Sequence, residues 1–484
     1  MLDLIEPVLP WACLSFGILI TLLVSVIRVN TKRPTQVFAV LTLVITFITA
    51  CNSMHDPSLL FAGCMEVSSL TRLFLALFSG LGIVFILGCS RYLTKESLHF
   101  SDYYHLLLLL ILGASIMVCS KDLLVTFIAL ETMSLPAYTL AGFRRNDPRS
   151  NEAAIKYYIL GGAMGAVFLL GASFIFGATG SVRLADIYAW SQASHPDLTL
   201  FYVGHALVLI AFLFKIAAVP FHFWKPDVYE GSPTPVTGLM ATVITGAAFI
   251  TLTRLVHLVD FTKSDWFQYV EVMKHFIGFL AVASLIVGSA ILITQANLKR
   301  MLAYSSISHT GYLLLGLLGT LSDESQMASV LIYLLGYCLM TSGIFILLSQ
   351  SEPLADTGTE LVDLTGMMKR SPGICFLWVV FLFSMAGMPF TVGFFTKYFV
   401  FMSSIAAGET PLVVVAALCT VIGAYAYLRP VALMVMRDAD PSAASFQGGV
   451  VSNAVVGLSA AAVLFLGFMP NAMILLLKGI PLIH

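Results

Sequence analysis

Four charged side chains stand inside long apolar stretches of this 484-residue sequence. They are Glu131 in "LLVTFIALETMSLPAY", Lys156 in "EAAIKYYILGG", Lys215 in "FLFKIAAVPFHFWKPD" and Lys397 in "GMPFTVGFFTKYFVF". A charge near the middle of a bilayer costs at least about 2.5–3.5 kcal/mol, so one kept there usually has a partner, contacts water or has a function. We take the four as candidate functional residues. The alternatives are a buried ion pair that fixes helix packing and a lysine whose amine reaches the membrane surface.

Two of these lysines stand beside similar interruptions of the apolar pattern, "AAVPFHFW" and "MAGMPFTVGFF". Pro220 and Pro389 each remove a backbone donor, and Gly387 and Gly393 loosen the second interruption further. Broken backbone is tolerated at membrane depth only against protein or a water-filled cavity. The pattern predicts two discontinuous helices beside polar cavities, as in transporters built from internal repeats. The alternative is two ordinary proline kinks packed by neighbouring helices.

The elements that must position these residues are transmembrane helices. The chain is 59% apolar and 11% charged, with a mean hydropathy of +0.94, and apolar runs of membrane-spanning length recur from end to end. We predict an all-α polytopic membrane protein of about fourteen helices. The predicted spans are 7–28, 36–54, 70–91, 103–120, 122–143, 153–177, 200–220, 233–258, 275–295, 301–320, 325–350, 373–405 (broken), 410–436 and 449–477. The longest connections, 179–199 and 351–371, are too short for a separate redox domain.

Composition argues against several other classes of protein and site. The net charge of −1, without a large basic face, argues against a nucleic-acid partner. The eight cysteines are scattered singly, without CxxC or Cys/His spacing, and predict neither a metal site nor a disulfide framework. The first apolar stretch lacks the basic flank and cleavage site of a signal peptide, so we expect it to remain as a helix.

The two discontinuous helices suggest an internal repeat. The seventh and twelfth predicted helices occupy equivalent places in two blocks, helices 4–8 and helices 9–13, which predicts two inverted five-helix repeats. The predicted segments are an N-terminal three-helix segment at 1–102, the repeats at 103–258 and 259–436, and a C-terminal helix at 437–484.

The lysines and arginines of the connections predict the orientation, because cytoplasmic loops are enriched in them. Connections that follow odd-numbered helices contain Arg28, Lys32, Arg33, Arg91, Lys95, Arg144, Arg145, Arg149, Lys299, Arg300, Lys369, Arg370 and Arg437. The opposite connections hold fewer, among them Lys121, Arg183, Lys263 and Lys274. We therefore expect both termini on the outer side of the membrane.

Four further motifs are "LETMSLPAYTLAGFRR" at 130–145, "SPTPVTGLMATV" after the first break, "NLKRMLAYSSISHTGYLLLG" at 297–316 and "MAGMPFTVGFFTKYFVF" at 385–401. Together they resemble the antiporter-like subunits of respiratory complex I. The resemblance covers essentially the whole chain, and the superfamily also includes multisubunit sodium/proton antiporters and membrane-bound hydrogenases. The length, the helix count and Lys397 resemble subunit N of bacterial NADH:quinone oxidoreductase, the counterpart of mitochondrial subunit 2. Subunit M is less similar, because its equivalent position is typically glutamate.

The resemblance implies a proton-translocating subunit of the bacterial inner membrane that binds no cofactor itself. NAD, FMN, iron–sulfur clusters and quinone are then expected in partner subunits, and subunits M and K are the expected neighbours in the lipid bilayer. Two alternatives remain open. One is a subunit of a cation/proton antiporter or a membrane-bound hydrogenase, and the other is a structural spacer that bridges neighbouring subunits.

The resemblance also implies roles for single residues. Glu131 and Lys215 match a glutamate–lysine pair whose separation changes the proton affinity of the lysine. Lys397 matches the lysine at the end of a chain of polar residues and water. Lys156 and His309 match a lysine of helix 6 and a histidine of helix 10, as candidate relays. A lone histidine in a helix is about as often a packing residue.

One position departs from the family pattern. Subunit N normally carries a lysine in helix 8, about ten residues after "PTPV", where this sequence has Thr245. A threonine cannot hold a proton, although its hydroxyl can hydrogen-bond a water that passes one. This departure implies either a water-mediated link at this place or a pathway that conducts poorly.

Overall fold

The computed structural model describes residues 6–27, 32–52, 58–96, 98, 100–193, 197–259, 266–352, 359–439, 445–446 and 448–477, and these are almost entirely helical. The principal helices are α1 (Leu9–Ile27), α2 (Lys32–Asn52), α3 (Ser69–Gly88), α4 (Ser101–Cys119), α5 (Leu123–Ala141), α6 (Pro148–Thr179), α7a (Thr199–Lys215), α7b (Trp224–Gly231), α8 (Thr234–Val256), α9 (Phe267–Thr294), α10 (Leu298–Ser322), α11 (Met327–Ser349), α12a (Pro372–Ala386), α12b (Val392–Ala406), α13 (Thr410–Met436) and α14 (Val450–Phe468).

The prediction of an all-α membrane protein is confirmed. Within the described residues, eleven helices are long and apolar enough to cross a membrane, and α7a, α12a and α12b are shorter apolar helices. Each predicted span overlaps one of the helices, because a run of about 20 apolar residues is both the sequence signal and the length that a bilayer requires.

Three local features differ from the predicted spans. The ninth helix, predicted at 275–295, begins at Phe267 and so includes Lys274, which was predicted to lie in the connection before it. The C-terminal span predicted at 449–477 ends at Phe468, and a short helix, Asn471–Leu477, follows Pro470. Proline lacks the backbone donor that would continue the first helix. In addition, α8 contains one π-helical turn at Met240–Ile244, a feature that is frequent at functional sites.

Connections that follow even-numbered helices contact one another at one end of the bundle. Strands β1 (Ser58–Leu60) and β2 (Met65–Val67) form a hairpin between α2 and α3. A backbone bridge joins this hairpin to Ser120, between α4 and α5, and Glu66 forms an ion pair with Lys121 at 2.5 Å.

Connections that follow odd-numbered helices likewise pair with one another. Strand β3 (Ser351–Glu352), between α11 and α12a, pairs with β4 (Ser445–Phe446), between α13 and α14. Connections after even-numbered helices therefore contact one another, and so do those after odd-numbered helices. This is expected when successive helices cross a membrane in alternate directions. Of the charges that predict the orientation, Arg28 and Lys263 lie outside the described residues, as do both chain ends.

The caps of α5 and α10 reveal the inverted repeat. The Asp122 side chain accepts hydrogen bonds from the first backbone amides of α5, and the Asn297 side chain does the same for α10. Asp122 also forms a backbone bridge with Arg183, after α6, and Asn297 forms one with Glu360, after α11. The same pattern thus occurs once in each block of five helices, but at the opposite end of the bundle.

Equivalent arginines close the two repeats. Arg254, in α8, donates a hydrogen bond to the carbonyl of Val118 near the end of α4. Arg429, in α13, donates one to the carbonyl of Ile293 near the end of α9, at 3.1 Å. Each arginine therefore ties the fifth helix of its repeat to the first, and the predicted two inverted repeats are confirmed. The residue boundaries of the predicted segments stay predictions.

The interior of the bundle is formed by α8, α10 and α11. Nearly all side chains of these three helices are buried, whereas α1, α2, α13 and α14 expose large apolar side chains on their outer faces. Lipid is as apolar as those faces, so the informative residues are the polar ones of the interior. They gather around α10 and the two breaks.

Candidate functional site

The first break lies in α7 and begins before Pro220. Helix α7a ends at Lys215, Ala217 has a left-handed φ of 57°, and the chain becomes helical again at Trp224. A left-handed residue other than glycine costs of order 1–3 kcal/mol and is found mainly at functional sites. The discontinuous seventh helix is confirmed, but its break starts directly after the lysine.

Polar side chains of the second repeat satisfy the backbone at this break. Thr310, in α10, donates from its hydroxyl to the carbonyl of Ile216 at 2.9 Å. Ser284, in α9, accepts a hydrogen bond from the amide of Val219 at 3.0 Å. Broken backbone at membrane depth requires such partners. Side chains of the second repeat therefore stabilise the non-helical backbone of the first break.

Lys215 is buried between α5 and α6. Its Nζ donates a hydrogen bond to the Ser134 hydroxyl at 2.7 Å and lies 5.0 Å and 5.4 Å from the ring centroids of Tyr157 and Tyr138. A cation over an aromatic face gains about 0.5–2 kcal/mol. The side chain is 5% exposed, so these three residues provide the surroundings that the sequence did not predict.

Glu131 stands on α5 one turn before Ser134 and is half-buried. Its carboxylate and the Lys215 ammonium are close enough to interact electrostatically. On the other side, a Cβ added at Gly165 of α6 would stand 2.9 Å from Glu131 Oε1, so the carboxylate lies close against that helix. Glu131 and Lys215 thus influence each other electrostatically without a direct ion pair among the described contacts, and the Ser134 hydroxyl accepts the hydrogen bond of the Lys215 amine.

Lys156 belongs to a partly exposed cluster of ion pairs. Its Nζ lies 2.6 Å from Glu152 and 2.8 Å from Asp227, and Asp227 also binds Arg300 at 2.8 Å. Partly exposed pairs of this kind contribute about 0.2–1 kcal/mol each. The cluster ties α6, α7b and α10 together, which agrees with the ion-pair alternative. A relay role for Lys156 stays a prediction.

The second break separates α12a from α12b. It runs from Gly387, with a φ of 84°, through Pro389 to Phe390, with a φ of 66°. Each break thus contains one left-handed residue other than glycine, Ala217 three residues before Pro220 and Phe390 directly after Pro389. The discontinuous twelfth helix is confirmed.

Gly393 allows the two pieces of the broken helix to touch. Its amide donates to the Ser384 hydroxyl at 3.1 Å, and an added Cβ would stand 1.8 Å from the Ser384 carbonyl oxygen.

We expect Gly393→Ala to destabilise the folded subunit by more than about 1–3 kcal/mol, since the clash is with backbone that cannot move aside. The measurement is the thermal midpoint of the assembled complex. Gly373→Ala, in α12a, is the control, because nothing lies within 4 Å of its Cβ position. Equal midpoints for the two variants would contradict the expectation.

Lys397 lies on α12b and points back into the second break. Its Nζ donates hydrogen bonds to the carbonyls of Met385 and Ala386, at 3.1 Å and 3.2 Å, and lies 5.1 Å from the ring centroid of Tyr312. The break therefore frees carbonyl groups that hold the ammonium. Lys215 precedes its break and Lys397 follows its own, so the two lysines are not equivalent positions of the repeat.

His309 is buried among tyrosines at the centre of α10. The imidazole Nδ1 shares a hydrogen bond of 2.6 Å with the Tyr333 hydroxyl, and the Tyr337 ring lies 4.9 Å away. The Tyr337 hydroxyl donates in turn to Ser306, at 2.7 Å. Hydroxyls and an imidazole in such contact can pass protons by exchanging hydrogen bonds.

Thr245 is buried beside the π-helical turn of α8. Its hydroxyl donates to the carbonyl of Met240 at 3.1 Å, so its proton is engaged by its own helix while its lone pairs remain able to accept. The structure therefore assigns this position a hydrogen-bonding capacity but no group that titrates near neutral pH.

Among the buried cations that sequence reasoning did not propose as site residues, Lys225 lies beside the first break. It lies on α7b, is 1% exposed, and its Nζ has no hydrogen-bond partner among the described residues. The amine lies over the ring of Tyr229, 5.3 Å from its centroid. The sequence signal was a lysine in the first turn after the break, within "FHFWKPDVYE", where a polar connection was expected.

Comparisons with known proteins identify the family. A model described as NADH:quinone oxidoreductase/Mrp antiporter, TM, matches residues 120–423. NADH-quinone oxidoreductase subunit N 1 of Chloroherpeton thalassium is 36% identical over 461 residues, which cover 95% of this chain and 94% of that protein. The chain belongs to the subunit N family of NADH-quinone oxidoreductase. Another member, subunit N 1 of Sorangium cellulosum, is 40% identical over 398 residues and is covered to 78%, against 81% of this chain.

Solved structures agree with membership of the subunit N family. A chain of respiratory complex I from Thermus thermophilus with bound Aureothin superposes with a TM-score of 0.80 at 29% identity, covering 96% of this chain and 97% of that one. A chain of the Mrp complex from Dietzia has a TM-score of 0.82 at 19% identity, covering 98% and 96%, and shows the shared fold alone. The resemblance predicted from the sequence motifs is confirmed, and the chain is an antiporter-like integral membrane subunit.

Proposed function

We propose that this chain transfers protons across the bacterial cytoplasmic membrane as subunit N of a proton-translocating NADH:quinone oxidoreductase. Quinone reduction, NAD, FMN and iron–sulfur clusters belong to other subunits, and this chain binds none of these cofactors. The observation that carries the proposal is the contact between Lys215 and Ser134 beside Glu131, at a break that leaves a titratable amine inside the membrane.

The first step of the proposed transfer concerns Glu131 and Lys215. A nearby opposite charge stabilises the charged form of a buried group, so a change in the separation of carboxylate and ammonium changes how readily the ammonium gives up its proton. The Ser134 hydroxyl donates to the carbonyl of Leu130 and accepts a hydrogen bond from the amine, so it keeps the nitrogen in place in either state, because a neutral amine still carries N–H donors. A lysine suits this step, whereas an arginine would remain charged.

The last step concerns His309 and Lys397. The imidazole and the ammonium are close enough to interact electrostatically, and the Tyr312 ring contacts both side chains. The carbonyls freed at the second break hold Lys397 when it is charged. A proton that reaches this amine leaves through the break in α12 to the outer side or to a neighbouring subunit.

The proposal includes the surroundings of the subunit. Subunits M and K are the expected neighbours in the membrane arm, and both termini are expected on the outer side. Support comes from the names of the relatives, from the separate meeting of the two sets of connections, and from the positive charges that follow odd-numbered helices.

Copurification tests the assignment to an NADH:quinone oxidoreductase. An affinity tag on this chain is expected to recover soluble subunits with flavin and iron–sulfur clusters, together with NADH-dependent quinone reduction in the eluate. In proteoliposomes, NADH and quinone should then drive proton uptake that does not depend on sodium. Recovery of membrane subunits alone, with sodium-dependent proton exchange, would identify a cation/proton antiporter and contradict the proposal.

A further inference from the structure

Lys225 is a buried amine without a hydrogen-bond partner in the described part of the chain. Native structures satisfy nearly all of their buried polar groups, and an exception calls for an explanation such as a catalytic role. A buried charge without a partner also lowers the stability of the folded subunit, so a role in helix packing does not explain Lys225. Its position in the bundle indicates what it does instead.

On one side, Lys225 is tied to the site of Lys215. The Trp224 indole donates to the carbonyl of Phe214 at 3.1 Å, which brings the residues next to the two lysines into contact across the break. Tyr157 stacks on the Trp224 ring at 4.8 Å and also lies over the Lys215 amine. The break therefore folds the start of α7b back against the end of α7a.

On the other side of Lys225, its neighbour Tyr229 leads to α8 and α10. The Tyr229 ring, next to the amine, carries a buried hydroxyl that lies near the hydroxyls of Thr245 and Ser306 without a hydrogen bond to either. Ser306 accepts a hydrogen bond from Tyr337, whose ring contacts His309. The His309 imidazole interacts electrostatically with both Lys225 and Lys397. Lys225 thus lies between the first lysine and the last.

We propose that Lys225 holds the proton in transit between Lys215 and the His309–Lys397 pair, in the step for which Thr245 provides no titratable group. This inference rests on the proposed function and names the middle carrier of the same pathway. In the step, an N–H bond of the Lys215 ammonium breaks and an N–H bond forms at the neutral Lys225 amine. Water or a hydroxyl between them takes up one proton and releases another, so the total charge is unchanged.

The test compares three variants of the assembled complex in proteoliposomes. Lys225→Met keeps the length of the side chain and removes the amine, and Lys225→Arg keeps a charge that cannot be released. The double variant Lys225→Met/Thr245→Lys moves the amine to α8, on the other side of the Tyr229 hydroxyl. Lys274→Met is the matched control, because that lysine pairs with Glu271 on its own helix, at 3.3 Å.

We expect Lys225→Met to assemble with an equal or higher thermal midpoint, while quinone reduction and proton uptake fall about tenfold or more. Lys225→Arg should be as inactive, and the double variant should regain a large part of both rates. A structural role would instead lower the midpoint or the amount of complex in Lys225→Met, and that result would overturn the proposal. Full activity of Lys225→Met, or a double variant no better than it, would overturn it too.

The outcome can be separated from a failure of the proposed function. If Lys215→Ala loses proton uptake and Lys225→Met does not, the pathway exists and Lys225 is not part of it. If both variants keep full turnover and an unchanged ratio of protons to electrons, the proposed function itself is wrong.

Discussion

Lys215→Ala is expected to lower quinone reduction and proton uptake together, each by about tenfold or more, in a complex that still assembles. The two rates fall together because quinone reduction is tightly coupled to proton transfer, so it stops when one residue of the pathway can no longer take up a proton. Assembly is expected to survive, since the change removes a buried charge whose direct hydrogen bond is to a single hydroxyl, that of Ser134. The measurements are inhibitor-sensitive quinone reduction and proton uptake at matched complex content.

Lys274→Ala is the control for this prediction, since it removes a lysine of α9 that lies apart from both breaks and pairs on its own helix. Its rates should equal those of the unmodified complex. Full turnover with an unchanged ratio of protons to electrons in Lys215→Ala would take this lysine out of the pathway and favour the structural spacer.

Lys397→Ala is expected to reduce activity strongly, whereas Lys397→Glu should keep part of it. A proton-storing position requires a group that titrates, whatever its sign, and a glutamate meets that requirement. The glutamate is only a partial substitute, because the carbonyls of Met385 and Ala386 that hold an ammonium repel a carboxylate. Both variants are to be measured by inhibitor-sensitive quinone reduction in membranes with matched complex content.

The comparison between the two Lys397 variants is decisive. Equal activities, whether both high or both low, would show that titration at this position is irrelevant. A thermal midpoint for each complex separates lost chemistry from lost folding, since the glutamate variant is expected to be the less stable of the two.

The spans and the breaks could be predicted because their causes are local. A run of about 20 apolar residues has one stable solution in a bilayer, and a proline inside such a run marks a place where the helix is interrupted. The first break still began earlier than predicted, at Lys215, because Ala217 takes a left-handed conformation that depends on contacts with α9 and α10. Such tertiary contacts leave no local pattern.

The candidate site could be predicted only where a charge stood in an apolar context. Glu131, Lys215 and Lys397 met that condition, and the structure places each beside a break or its partner. Ser134 and Tyr157 did not, because a serine and a tyrosine are ordinary residues of membrane helices. Lys225 was hidden among polar neighbours, and only the folding of α7b into the interior shows that it is buried.

The inverted repeat has a consequence for the direction of transport. A scaffold whose two halves are related by symmetry presents the same path to both faces of the membrane, so the backbone by itself cannot favour one direction. Ser134 and His309 are separated in the sequence by the same interval as the two helix caps Asp122 and Asn297, and therefore occupy equivalent sites. One half holds a hydroxyl there and the other an imidazole. In the proposed function, a preferred direction of proton movement therefore arises from such unequal pairs of side chains and not from the backbone.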